Sequence, residues 1–361
     1  MSWPSWLPLR ETLRPMSPYG APQVPAVAAL NTNENPYSPS PALQKAITDA
    51  VAKVAVDLNR YPDRDATILR TKLATYINEG NGTSFTLDNI WAANGSNEII
   101  QSIFLAFAQG AVLGFTPSYS MHPLIAKTTG AQWIDGKRNA DFSLNTTDAV
   151  SEILKSKPTL TFITTPNNPT GGAVTLAEIQ KLADAAKEVG GLLVVDEAYA
   201  EFSQETSAVT LVANNPHVIV IRTMSKAFAF AGARLGYLVS DVAVKDAMMI
   251  VRLPYHLSAL TQAAAQVAID HRAELLSGVS TLIKARGQVV QALHDMGLTT
   301  ITSSANFVLF TGFKQDAPQL WAALLEKGVL IRDVGLSGYL RVTIGNEAEN
   351  KLFVSALKEL I

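Results

Sequence analysis

The chain has 361 residues, 48% of them hydrophobic and 17% charged, with 29 Lys+Arg against 31 Asp+Glu and no cysteine. That balance leaves no basic excess to bind nucleic acid by counterion release, and so low a charged fraction beside an ordinary apolar one describes a packed core, not a solvated disordered chain. The absence of cysteine removes disulfides, thiolate catalysis, iron–sulfur clusters and cysteine-ligated zinc.

In chain order, Met1 to Pro15 reads as an aromatic arm, with Trp3, Trp6 and Leu7 interrupted by Pro4 and Pro8. It lacks the continuous apolar core of a signal peptide and suits a tether lying on the body or on a partner subunit. No run approaches the roughly 18 apolar residues of a membrane span, so the expected location is cytoplasmic, without a membrane partner. Ser40 followed by Pro41 predicts a capped helix start. Apolar runs at Ala111–Phe115, Leu160–Thr164, Leu192–Val195 and Val218–Ile221 do not alternate with polar residues. They predict strands buried on both faces of a mostly parallel sheet, with helices between them. One such helix is bounded by the capping pair Thr175 and Glu178 and closed by Gly190–Gly191.

After about Pro254 the pattern changes to a long helical stretch through Leu293. A strand at Ala305–Phe310, a helix near Pro318–Lys327, strands at Val329–Asp333 and Tyr339–Ile344, and a helix from Asn346 follow. The expectation is an α/β chain: a large, mostly parallel α/β/α domain over residues 39–256 and a smaller α+β domain over residues 257–361. Residues 1–38 contribute the arm and part of the small domain. No repeat or flexible linker separates the two, so they should be closely apposed.

Three polar clusters follow predicted strands, where open α/β sheets bind ligands. Thr164–Gly172 places Asn167 and Asn168 between prolines, Asp196-Glu197-Ala198-Tyr199 ends the Leu192 run, and Arg222–Phe228 with Arg234 follows the Val218 run. A lysine among Ala and Phe, Lys226, is held in surroundings that lower an amine's pKa and make it a usable nucleophile and base. Lysine, carboxylate, phenol and amide together are the parts needed for pyridoxal phosphate. The lysine condenses with the aldehyde, the carboxylate keeps the pyridine nitrogen protonated, and amide and phenol reach the ring hydroxyl. Asn94-Gly95-Ser96-Asn97-Glu98, opening the apolar stretch Ile99–Phe107, offers helix-start N–H groups for the phosphate, with Ser225 and Arg234 adding charge-assisted bonds.

On these residues, together with Asn33-Glu34-Asn35-Pro36-Tyr37, Arg60-Tyr61-Pro62-Asp63, Pro117-Ser118-Tyr119-Ser120-Met121 and Arg341-Val342-Thr343-Ile344-Gly345, the sequence resembles the fold-type I pyridoxal-phosphate aminotransferases along nearly its whole length. The Asn33–Tyr37 and Tyr61–Asp63 segments favour their histidinol-phosphate branch. The resemblance implies pyridoxal 5′-phosphate as cofactor, with Lys226 as the lysine that joins it, Asp196 as the pyridinium partner, and Asn168 and Tyr199 at the ring oxygen. Tyr119 would stack on the ring, while Ser96, Asn97, Ser225 and Arg234 would hold the phosphate. It further implies a homodimer in which Tyr61 reaches the phosphate of the second subunit.

On the substrate side the resemblance places Arg341 as a clamp for the donor's α-carboxylate, and Arg332, Tyr19 and Asn33 toward histidinol phosphate. The implied reaction, a step of histidine biosynthesis, converts histidinol phosphate and 2-oxoglutarate to imidazole-acetol phosphate and glutamate, with small molecules as the other partners and no metal. Its rivals are an aromatic-amino-acid aminotransferase and a decarboxylase of phosphorylated amino acids using the same cofactor. A cofactor-binding regulator is disfavoured, since no basic winged-helix segment is present. Two departures stand out: Asn97 where the phosphate turn often carries aspartate, and His122 where tyrosine is common. With only five histidines and no neighbouring ligand spacing, His122 reads as a packing or pocket-wall residue.

Overall fold

The unalternating apolar runs form the middle of a seven-stranded sheet in the computed structural model, which describes residues 3–361. After a short N-terminal strand, β1 (Ala28–Ala29), the strands are β2 (Ile90–Ala93), β3 (Ala111–Thr116), β4 (Gln132–Lys137), β5 (Leu160–Thr164), β6 (Leu192–Asp196), β7 (Val218–Thr223) and β8 (Gly236–Val239). Their order is β2-β8-β7-β6-β5-β3-β4, with β8 antiparallel to both neighbours and the other pairs parallel. Strand pleating divides the central residues between two apolar layers. Ile163, Val195 and Val220 face one, while Phe162, Val194 and Ile219 face the other, which is why these strands show no polar alternation.

The helix boundaries rest on the expected caps. Ser40 Oγ accepts from Leu43 N at 3.2 Å, with Pro41 opening the helix Pro41–Ala55. Thr175 and Glu178 exchange both bonds of a capping box at the start of Leu176–Glu188, and Gly190 adopts φ +75° after its end.

Beyond residue 254 the long helical stretch breaks at His271 into Ala259–Asp270 and Arg272–Asp295. Strands β9 (Thr299–Thr300), β10 (Phe307–Thr311), β12 (Arg332–Asp333) and β13 (Leu340–Thr343) form an antiparallel sheet in the order β12-β13-β10-β9, while β11 (Val329–Leu330) pairs in parallel with β1. The single strand expected over Val329–Asp333 therefore divides: its first two residues pair with the N-terminal segment and its last two with β13. That change of partner sets Arg332 directly opposite Arg341.

Candidate active site

The carboxyl ends of β5, β6 and β7 open into a cavity of about 560 Å³, whose far wall is formed by residues 31–34 and the β12–β13 pair. Lys226 is the third residue past the end of β7. Its Nζ donates to Thr32 O at 2.8 Å. Burial, joined by the nearby Arg341 and Arg234 and partly opposed by Glu34, pulls its amine down to about 8.

Asp196, the last residue of β6, is 2% exposed. Its Oδ1 accepts from Ala198 N at 3.2 Å, and its Oδ2 lies 3.2 Å from Nε2 of the equally buried His122. His122 is thus the partner of Asp196 and not merely a wall residue. Its ring packs against Phe162 at 4.8 Å and edge-on to Tyr119 at 5.5 Å, which fixes the imidazole toward the carboxylate. Sequence spacing gave no signal for a contact between residues 74 positions apart.

Tyr199 is 4% exposed, and its hydroxyl accepts from Asn33 Nδ2 at 2.9 Å, leaving its own proton free to donate. Burial raises its pKa, so it is held as the neutral phenol. Asn168 and Asn167 part roles: Asn167 Nδ2 is spent on Pro117 O and Thr170 Oγ1, whereas Asn168 lines the cavity with Oδ1 accepting from Arg341 Nη1. Tyr119 hydroxyl donates to Asn97 Oδ1 at 3.1 Å, which gives the asparagine at this turn a side-chain role.

The helix Ser96–Phe107 begins without a side-chain cap, so its first N–H groups lie free at the cavity where Ser96 and Asn97 line it. Gly95 has φ +85°, and a Cβ there would come within 2.7 Å of an Arg234 guanidinium nitrogen. Gly236 is equally tight, since a Cβ would meet Ser96 N at 2.5 Å. The side chain of Arg234, itself in the left-handed region at φ +55°, donates among the described residues only to Ala231 O. Ser225 Oγ accepts from Thr223 Oγ1 at 3.0 Å, leaving its own proton for a ligand. Backbone donors, two hydroxyls and an arginine without a carboxylate fit a phosphate group, and Asp196 with Lys226 fits the ring and aldehyde of pyridoxal phosphate.

The opposite wall carries a second concentration of positive charge. Arg332 and Arg341 are cross-strand partners and project to one face. Arg341 is 6% exposed, donates to Asn31 O at 2.8 Å, stands 5.0 Å over the Phe307 ring and retains a buried Nε without a partner. Burial, with Arg332 adding to it, lowers its guanidinium to about 10. Among the described residues no carboxylate lies within 4 Å of Arg234, Arg332 or Arg341. Arg234 is exposed and Arg332 half-buried, but Arg341 is buried, and a buried, unpaired cation is costly unless an anion arrives to meet it.

Tyr19 and Asn33 also line the cavity, Tyr19 hydroxyl accepting from Ser120 Oγ at 3.3 Å. Of the residues singled out from sequence, Tyr61 alone stands apart: it is 79% exposed, stacked on Tyr255 at 4.4 Å, and outside the cavity of its own chain.

Residues 25–357 match the family model described as aminotransferase class I and II. A histidinol-phosphate aminotransferase of Mycobacterium sp. (strain JLS) is 50% identical over 358 residues, covering 98% of this chain and 94% of that protein. One from Mycolicibacterium smegmatis is 52% identical over 357 residues, covering 98% and 93%. The crystal structure of the histidinol-phosphate aminotransferase from Clostridium acetobutylicum shares the fold, with a TM-score of 0.83 at 24% identity, covering 92% of this chain and 99% of that one.

Proposed function

The chain belongs to the class I and II aminotransferases, and from that premise we propose that it exchanges the amino group of histidinol phosphate with 2-oxoglutarate, giving imidazole-acetol phosphate and glutamate. The observation that carries the choice of substrate is the Arg332–Arg341 pair, two guanidinium groups in register on neighbouring strands with no carboxylate between them. A phosphate monoester in one half-reaction and a dicarboxylate in the other each bring enough negative charge for both arginines. An aromatic amino acid brings one carboxylate and leaves Arg332 unused.

Pyridoxal 5′-phosphate, when bound, supplies the carbon that takes the amino group and a ring that delocalises the electron pair released at the substrate Cα. Ser96, Asn97, Ser225 and Arg234 are the residues for its phosphate, Tyr119 for the ring face, and Asn168 and Tyr199 for the ring oxygen. Asp196 is the acceptor for the ring N–H, and His122 with Ala198 N holds that carboxylate in one orientation. Lys226, with its amine drawn toward neutrality, takes the proton from substrate Cα and returns it one step later as acid. Thr32 O, 2.8 Å from Nζ, fixes where that proton is carried.

Tyr61 supports a homodimer: exposed and remote from its own cavity, it is available to the phosphate of a second subunit. Residues 39–256 would form the cofactor domain and 257–361, with the N-terminal segment, the small domain. No helix among the described residues is long and apolar enough to cross a membrane, in keeping with a cytoplasmic enzyme.

The direct test offers histidinol phosphate, phenylalanine, tyrosine and O-phosphothreonine as donors with 2-oxoglutarate and follows glutamate formation. Preference for histidinol phosphate by tenfold or more in kcat/KM is expected. Equal or better use of phenylalanine, or carbon dioxide release from the phosphorylated amino acid, would replace this reading.

A further inference from the structure

We infer that Glu34 recognises the imidazole ring of the substrate, its carboxylate accepting the ring N–H. The inference rests on the histidinol-phosphate reading and adds the one recognition element that reading leaves open.

Three carboxylates line the cavity: Asp196, Asp333 and Glu34. Asp196 is committed to His122 and Ala198 N. Asp333 is one residue from Arg332 along β12, so it projects to the opposite face of the pleat, and its Oδ1 is taken by Gly335 N at 2.8 Å. Glu34 is tied on one oxygen only, Oε2 accepting from Thr32 Oγ1 at 2.8 Å, and no other bond to its carboxylate is made among the described residues. Asp333 likewise keeps one oxygen free, but Glu34 is the one on the segment that meets both Lys226 and Arg341, in a cavity whose other free charges are cations.

The backbone that carries Glu34 is held on both sides. Asn31 O accepts from Arg341, Thr32 O from Lys226, Asn33 N donates to Thr343 Oγ1, and Asn35 Nδ2 donates to Ala227 O. Asn33 occupies the left-handed region at φ +56°, an uncommon conformation for a side-chain-bearing residue that turns the chain immediately before Glu34. A carboxylate on a segment so fixed can discriminate between ligands because it costs little to order.

The substrate offers three groups. Its amine goes to the Lys226 end and its phosphate to Arg332 and Arg341, which leaves the ring. Neutral imidazole always presents one N–H, and imidazolium two, to an acceptor-only carboxylate. Glu34 is exposed in the open cavity, so a phenyl ring seated against it would take water from the carboxylate without offering an N–H in its place, whereas imidazole replaces the lost water with a hydrogen bond.

The experiment compares histidinol phosphate with the phosphate ester of phenylalaninol, which differs only in the ring. The ratio of kcat/KM values is measured for the wild type, Glu34→Gln and Glu34→Leu, with cofactor spectra recorded to confirm loading. The imidazole-to-phenyl ratio should fall in the order Glu, Gln, Leu, by roughly 10- to 100-fold overall, with the change mainly in KM for histidinol phosphate. A ratio constant within twofold across the three proteins, whether or not both rates decline together, would overturn the assignment. If the wild type turned over neither phosphorylated amine, the underlying reading would fall, and the inference with it.

Discussion

Lys226 is the residue at which the cost of the site is most open to measurement. In the cofactor-free protein burial holds its amine at about 8 against an ordinary 10.5, which corresponds to roughly 3 kcal/mol against the folded state when the group is charged. Because the folded value lies below the unfolded one, the penalty is complete below pH 8 and disappears as pH rises toward 10.5. Lys226→Met, without cofactor, should therefore unfold at higher urea than wild type at pH 7, with the gap closing by pH 10; a gap independent of pH would contradict the argument. The same substitution should abolish turnover. His122→Phe tests the neighbouring pair. Loss of one hydrogen bond to a charged carboxylate should slow the amino-donor half-reaction about tenfold or more while cofactor stays bound, and His122→Asn should recover part of the rate if orientation of Asp196 is the cause. An unchanged single-turnover rate in the Phe variant would return His122 to a packing role. Lys226, Asp196, Tyr199 and Asn168 were legible in the sequence because each follows a buried strand, and a strand end fixes where the next few residues go. The His122–Asp196 contact and the place of Glu34 at the cavity were not, because they depend on how elements far apart in the chain come together.

The helix Ser96–Phe107 and the strands around it show what can be read at the scale of elements. Capping at Ser40 and at Thr175–Glu178 is a local code and was legible as such. The strands β2, β4 and β8 were missed. β4 carries Gln132, Asp135 and Lys137 at a partly exposed edge, and β2 and β8 are only four residues long, so their identity comes from pairing and not from periodicity. Division of the Val329–Asp333 run between two sheets likewise depends on the N-terminal segment, which pairs with residues 329 and 330 from some 300 positions away. The cradle in front of Ser96 gives an element-level prediction. Gly95→Ala adds a Cβ within 2.7 Å of Arg234 and demands φ +85° of a side-chain-bearing residue, so cofactor affinity should fall by tenfold or more with little change in secondary structure. Equilibrium titration of the cofactor-free protein with pyridoxal phosphate, read by absorbance, measures this; wild-type affinity would mean that Arg234 does not depend on the bare backbone at Gly95.

At the scale of the whole molecule, the cavity exists because two sheets and the N-terminal segment meet: the ends of β5, β6 and β7 deliver Asn168, Asp196 and Lys226, the residues proposed for the cofactor, β12 and β13 the two arginines, and residues 31–34 the connection between them. A second copy of the chain would complete it if Tyr61 acts across the dimer. Hybrids of Tyr61→Phe and Lys226→Ala subunits contain one site with neither lesion, so activity per intact lysine should rise above that of Tyr61→Phe alone; no rise on confirmed subunit exchange would confine Tyr61 to its own chain. The central claim, that paired arginines select a phosphorylated donor, is tested most directly by the single-turnover kcat/KM for histidinol phosphate against histidinol, which differ only in the phosphate, in wild type and in Arg332→Gln. The expected outcome is a wild-type preference for the phosphorylated donor that shrinks about 30-fold or more in the variant, the scale of one charge-assisted contact. The same preference in both proteins would contradict the role assigned to the Arg332–Arg341 pair.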